Sequence, residues 1–271
     1  MAQPFGNLNE LRFSGINRVF FYVPASIYGP IGIAGTSYLG AGLSGQRFDE
    51  DGWAFGFDLY GGAVNVEEQE SYAGLIESGA PAPVAETSLA RDAVGGRIWL
   101  TAPGDLTARL SGYTGRLSEP DGDSRTFQSW ALSLHHIDRR FRVGAELAYR
   151  EESGREHAWG GYLFATAKLH PKFQAGLRYE RLQTWLHSYL PLPGYGPSSP
   201  LLRHQAIGLA VNYIYGPNLL FKAEYQVIDG NRLAFPQGQD AQGVAWDGDH
   251  LAQATLARRT GVLVVGTQFA F

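Results

Sequence analysis

His135 and His136 are the pair that most invites a metal ion, but adjacent residues of an extended chain point to opposite faces, so they cannot share one. Under the same alternation Ser129 and Ser133 fall on the face of His135, the arrangement a barrel-embedded hydrolase needs for a hydroxyl nucleophile and its base. No Gly-x-Ser-x-Gly, Walker-type glycine loop or His-Glu-x-x-His accompanies them. Asp121-Gly122-Asp123 and Asp247-Gly248-Asp249 offer the hard oxygen donors of a Ca²⁺ loop, and ordinary turn chemistry explains both without a metal. The expectation is no enzyme, no metal and no cofactor. The better candidates are charges set singly among alternating residues: Arg97, Arg109, Arg142, Arg150, Lys168, Arg178 and Lys222, against Asp58, Glu146, Glu180 and Glu224.

Strands must position these charges, because the residues around them alternate with period two. Trp53, Phe55, Phe57 and Leu59 oppose Ala54, Gly56, Asp58 and Tyr60. Phe141, Val143, Ala145, Leu147 and Tyr149 oppose Arg142, Gly144, Glu146, Ala148 and Arg150. The same holds around Leu39, Ile98, Leu110, Leu132, Leu163, Leu177, Leu209, Phe221 and Leu263. Short connections fall near residues 48–52, 102–105, 138–140, 170–172 and 216–218, and longer or more polar ones between them, including residues 67–90, 191–200 and 230–257. Residues 12–23 read as an ambiguous strand, and counting them makes about twelve strands with both termini at the short-turn end.

A soluble sandwich also alternates, yet it has no need of Gly and Ala on its wet face. The chain carries 35 Gly with 15 Phe, 14 Tyr and 6 Trp, which supplies small residues for one face and aromatic residues for the other. Apolar faces that begin or end in Phe141, Tyr149, Phe173, Tyr179, Phe221 or Tyr225 match the aromatic girdles of a membrane barrel. About ten residues at ~3.3 Å each, tilted ~40°, cover the roughly 25 Å lipid-facing band. No run approaches the roughly 18 apolar residues of a membrane helix. Cysteine is absent, which permits an oxidising compartment, and the net charge of -4 comes without a basic, aromatic-studded face for nucleic acid. The expected architecture is all-β: an antiparallel up-and-down transmembrane β-barrel, with residues 1–271 as a single domain.

Two resemblances extend this reading. The alternating stretch ending in Phe269 and Phe271 is similar to the terminal strand of bacterial outer-membrane barrels, in which the final aromatic is part of the signal read by the assembly machinery. Gln3-Pro4-Phe5-Gly6, Ser26-Ile27-Tyr28-Gly29-Pro30, Leu202-Arg203-His204, Lys222-Ala223-Glu224-Tyr225-Gln226 and Asp229-Gly230-Asn231-Arg232 resemble outer-membrane porins of the phosphate-selective porin-like group. The resemblance implies a bacterial outer-membrane location, outer-membrane lipid and the barrel-assembly machinery as partners, passage of small solutes or ions, and a homotrimer. Such porins carry further strands ahead of the Pro-Phe-Gly segment, which implies that this chain lacks an amino-terminal part of a larger barrel.

The expected pore-lining residues are Arg97, Arg109, Arg142, Glu146, Arg150, Arg178, Glu180, Lys222 and Glu224, either setting ion preference or bracing the wall as cross-strand ion pairs. Their basic excess predicts a weak anion preference. Inward Tyr60, Trp99, Tyr162 and Phe164 keep a transporter of apolar solutes as the alternative, beside the hydrolase.

Overall fold

The computed structural model describes residues 5–6, 19–28, 33–34, 37–68, 86–118, 124–154, 156–187, 202–216, 218–230 and 259–269. Eleven strands run in chain order: β1 Ser37–Phe48, β2 Ala54–Glu68, β3 Glu86–Ala102, β4 Leu106–Ser118, β5 Ser124–Ile137, β6 Phe141–Glu152, β7 Glu156–His170, β8 Phe173–Leu186, β9 Arg203–Gly216, β10 Leu219–Asp229 and β11 Arg259–Phe269. Each pairs antiparallel with the next in one eleven-stranded sheet. This is the up-and-down transmembrane barrel architecture the alternation predicts. Among the described residues no helix is long and apolar enough to cross a membrane.

Side-chain alternation sorts the two faces cleanly. On the outer face Leu59, Ile98, Leu110, Leu132, Leu147, Leu163, Leu177, Leu209 and Val265 are all exposed, an arrangement costly in water and favourable in hydrocarbon. Aromatic residues bound this belt. Toward the long loops, Trp130, Tyr149 and Trp159 are successive cross-strand partners, and the Tyr149 and Trp159 ring centroids are 4.8 Å apart. Toward the short turns, Tyr213 lies 5.0 Å from Phe173 and 6.3 Å from Phe221.

The tight turns have local causes. Asp138 accepts a hydrogen bond on its carboxylate from the Arg140 N–H at 2.8 Å, while its own N–H donates to the Phe141 carbonyl at 2.9 Å. In the β3–β4 turn Gly104 has φ 88° and Asp105 φ 61°, the left-handed conformation that Gly and Asp tolerate best.

Two expectations are corrected. Strand pairing continues to Glu68 and resumes at Glu86, so β2 and β3 reach into the stretch 67–90 expected to be loop. Residues 19–22 are bends and residue 23 is irregular, none of them strand, and they lead into a four-residue helix, α1 (Ala25–Tyr28). Among the described residues β1 and β11 run in the same direction, and β1 starts at the long-loop end, as the expected strand at 38–47 does when it leads into the short connection at 48–52. The count of about twelve depended on residues 12–23, of which 12–18 lie outside the described residues.

Candidate functional site

The inner face of the sheet wraps around the amino-terminal segment, described at residues 5–6, 19–28 and 33–34. Its core there is aromatic and aliphatic, with Phe5, Ile27, Tyr28 and Ile33 buried among Tyr113, Phe127, Tyr162 and Leu182. Phe5 meets Tyr113 edge-to-face at 5.1 Å, and Tyr113 meets Phe127 at 5.3 Å. The segment touches the wall from β4, where the Gly6 N–H donates to Ser111 Oγ at 2.9 Å, round to β11, where Phe21 packs against Gly266.

Three wall carboxylates hold the segment. The Tyr28 hydroxyl donates to Glu146, 2.8 Å from each oxygen, and Tyr162 donates to the same carboxylate at 3.0 Å. The Ser26 N–H donates to Glu180 Oε2 at 2.9 Å. The Phe21 N–H donates to Glu224 Oε2 at 2.6 Å. All three acids are at most 3% exposed, and a buried carboxylate without donors is costly, so these bonds count for more than surface ones.

Arg178 joins wall to segment from the other sign. Its Nη2 lies 3.2 Å from Glu224 and 3.5 Å from Glu180, its Nη1 donates to the Tyr22 carbonyl at 2.7 Å, and its guanidinium stacks 4.6 Å from the Phe20 ring centroid. Lys222 is buried beside it, with Nζ 5.8 Å from the Phe21 centroid. Ile33 is tied by its carbonyl, which accepts from Tyr113 at 3.0 Å and Ser129 at 3.4 Å. Gly160 on β7 makes the close approach possible: a Cβ there would sit 2.6 Å from the Ser26 carbonyl oxygen and 2.8 Å from Ile33 Cδ1.

The remaining predicted charges lie on the same face away from this cluster. Arg97 pairs with Asp58 at 2.7 Å, and Ser44 also donates to that carboxylate. Arg109 Nη1 lies 2.9 Å from His135 Nδ1. Arg150 and Arg125 flank Glu152, each at 3.6 Å. Arg142, one residue from the β5–β6 turn, is exposed and makes no ion pair among the described residues. Lys168, near the β7–β8 turn, is also exposed.

The proposed Ser–His dyad does not form. Ser133 Oγ is buried without a hydrogen-bond partner among the described residues, Ser129 is engaged with Ile33, and His135 faces Arg109. His135 is inward while His136 packs outside against Phe141 at 5.3 Å, as alternation requires. No group of three metal-ligating side chains occurs among the described residues. Asp121, Asp123, Asp247, Asp249 and Phe271 lie outside the described residues. Phe269 closes β11 on the outer face opposite Leu219. What sequence reasoning missed is the segment's own contribution: Tyr28, Ser26 and Phe21 belong to an aperiodic stretch, and no local pattern marks them as donors to Glu146, Glu180 and Glu224.

Apolar belt, aromatic girdles and polar inner face together define a transmembrane β-barrel of porin-like fold. An anion-selective porin from Comamonas acidovorans superposes with a TM-score of 0.51 at 14% sequence identity, covering 85% of this chain and 59% of that one. The outer-membrane channel DcaP of Acinetobacter baumannii gives 0.48 at 9% identity, with 83% and 62% covered, and OmpT of Vibrio cholerae gives 0.43 at 11% identity, with 84% and 88% covered. This chain thus spans less than two thirds of the length of the first two. No protein-family profile and no curated protein sequence matches it.

Proposed function

We propose that the chain forms a passive outer-membrane channel for small hydrophilic solutes or ions, of the phosphate-selective porin-like kind, in which the amino-terminal segment narrows the passage. The observation that carries this reading is the ring of charged and hydrogen-bonding side chains on the inner face, joined to a segment held across it by Glu146, Glu180, Glu224 and Arg178. The buried cluster fixes the segment, and the exposed Arg142 and Lys168 on the same face suit water and hydrated solutes. The inward aromatics are spent on packing: Phe5, Tyr113 and Phe127 bury one another, and Trp99 fills the space left by Gly56. That argues against an apolar conduit, and the unformed Ser–His dyad argues against a hydrolase.

Weak anion preference follows from how the charges are used. Asp58, Glu146, Glu180 and Glu224 all accept hydrogen bonds from neighbours, whereas Arg142 and Lys168 stand exposed toward the short-turn end. Fixed positive charge at a narrow mouth favours anions. Outer-membrane lipid and the assembly machinery are the partners this reading requires, and a homotrimer is its assembly. Swelling of liposomes containing the refolded protein tests it. Entry of small sugars, slowing steeply with solute size, is expected; swelling no faster than in empty liposomes would refute it.

A further inference from the structure

Gly161 is the one outward position of β7 in the apolar belt that has no side chain, and the belt has a dent there. In register it lies between Leu147 of β6 and Arg181 of β8, with Trp159 and Leu163 on either side along its own strand. With Tyr179 these residues line a cavity of about 380 Å³ open to the lipid side. Apolar walls in hydrocarbon take an acyl chain. Arg181 asks for more than that. Its guanidinium is exposed on the lipid-facing side and has no ion pair or hydrogen bond among the described residues. A lone Arg on that face is unfavourable in hydrocarbon and tolerated near the interface, where an anion meets it.

The charges beside it have one sign in excess. Arg181, Gln205, Asp229 and Arg259 are successive cross-strand partners, and Arg203 sits diagonally above. Arg203 and Arg259 share the single carboxylate of Asp229, at 3.1 Å and 3.3 Å. Among the described residues, three guanidinium groups face one acid at the level of the Tyr149 and Trp159 girdle, on the side of the long connections. In barrels of this architecture the longer loops face outward, which places the patch at the outer leaflet.

We propose that the Gly161 groove and Arg181 form a specific site for a phosphorylated, multiply acylated glycolipid of the outer leaflet, with one acyl chain in the groove and a phosphate on Arg181. This site is independent of solute passage through the interior. Fork-like pairing of a guanidinium with phosphate supplies the polar half of the recognition, and the groove supplies the apolar half.

Native mass spectrometry of the delipidated, refolded protein titrated with lipid A or with phosphatidylglycerol tests the proposal, with an unchanged heat-dependent gel shift confirming the fold of each variant. Wild type is expected to bind lipid A more tightly than phosphatidylglycerol. Arg181→Gln is expected to weaken lipid A binding about tenfold, the effect of one charge-assisted contact. Arg47→Gln, an exposed Arg near the opposite end of the belt, is expected to leave it unchanged. Equal affinity for the two lipids, no loss in Arg181→Gln, or an equal loss in Arg47→Gln would overturn the site.

Discussion

The Tyr28 hydroxyl and the Glu146 carboxylate, 118 residues apart in sequence, meet inside the barrel at 2.8 Å. The contact joins a segment that precedes the described strands to the middle of β6. Because Glu146 is buried, the bond that Tyr28 supplies offsets part of the cost of keeping a carboxylate away from water. Tyr28→Phe removes that donor while preserving the ring, and should weaken docking of the segment by about 1.5–3 kcal/mol. Single-channel recordings check this: the variant should show larger or less steady conductance steps than wild type, and identical traces would mean that the segment does not limit passage.

Arg178 is expected to be the most costly single charge to remove. Its loss leaves Glu180 and Glu224 buried together without the cation between them, and breaking a buried pair costs about 3–5 kcal/mol. Arg142→Ala should change stability by less than about 0.5 kcal/mol, since its side chain is exposed. Urea unfolding of both variants in micelles separates them, and comparable midpoints would show that the Arg178 cluster is not a structural tie.

Glycine positions divide in the same way. Gly160→Ala pushes a methyl group into the Ser26 carbonyl and Ile33, so either α1 or the strand must shift, at about 1–3 kcal/mol. Gly216→Ala meets nothing within 4 Å and should be nearly neutral. Thermal unfolding of the two variants is the check; an equally mild effect at Gly160 would contradict the close approach of the segment.

The strands were legible in the sequence because membrane barrels write them twice, once as period-two alternation and once as Gly or Ala opposite aromatic and aliphatic residues. Ala145, Leu147 and Tyr149 against Glu146, Ala148 and Arg150 are read the same way from the sequence and from the burial of β6. The inward face was legible for the same reason, so Arg97, Glu146, Arg178 and Glu224 lie where alternation put them. The partners of those charges were not legible. Gly6 finds Ser111 across 105 residues and Ser26 finds Glu180 across 154, and no local periodicity encodes such contacts. Residues 19–23, apolar enough to suggest a strand, instead use Phe20 and Phe21 against Arg178 and Lys222.

Assembly makes a separate prediction. Phe269 is exposed on the outer face at the end of β11, where its ring adds little packing within the chain. Removing Phe271, or replacing Phe269 with Ser, should lower the amount inserted into outer membranes of living cells while protein refolded in detergent stays nearly as stable. Equal insertion of variant and wild type would remove both residues from the assembly signal.

The most direct test of a passive channel with a basic mouth is the reversal potential of the refolded protein in a planar bilayer under a KCl gradient. Screening over roughly 8 Å at physiological salt confines the effect of Arg142 to a narrow passage, so the preference should grow as salt is diluted. The proposed function predicts open, steady conductance with a modest preference for chloride, reduced by Arg142→Glu. Cation preference in wild type, or no conductance from protein that shows the barrel's heat-dependent gel shift, would contradict it.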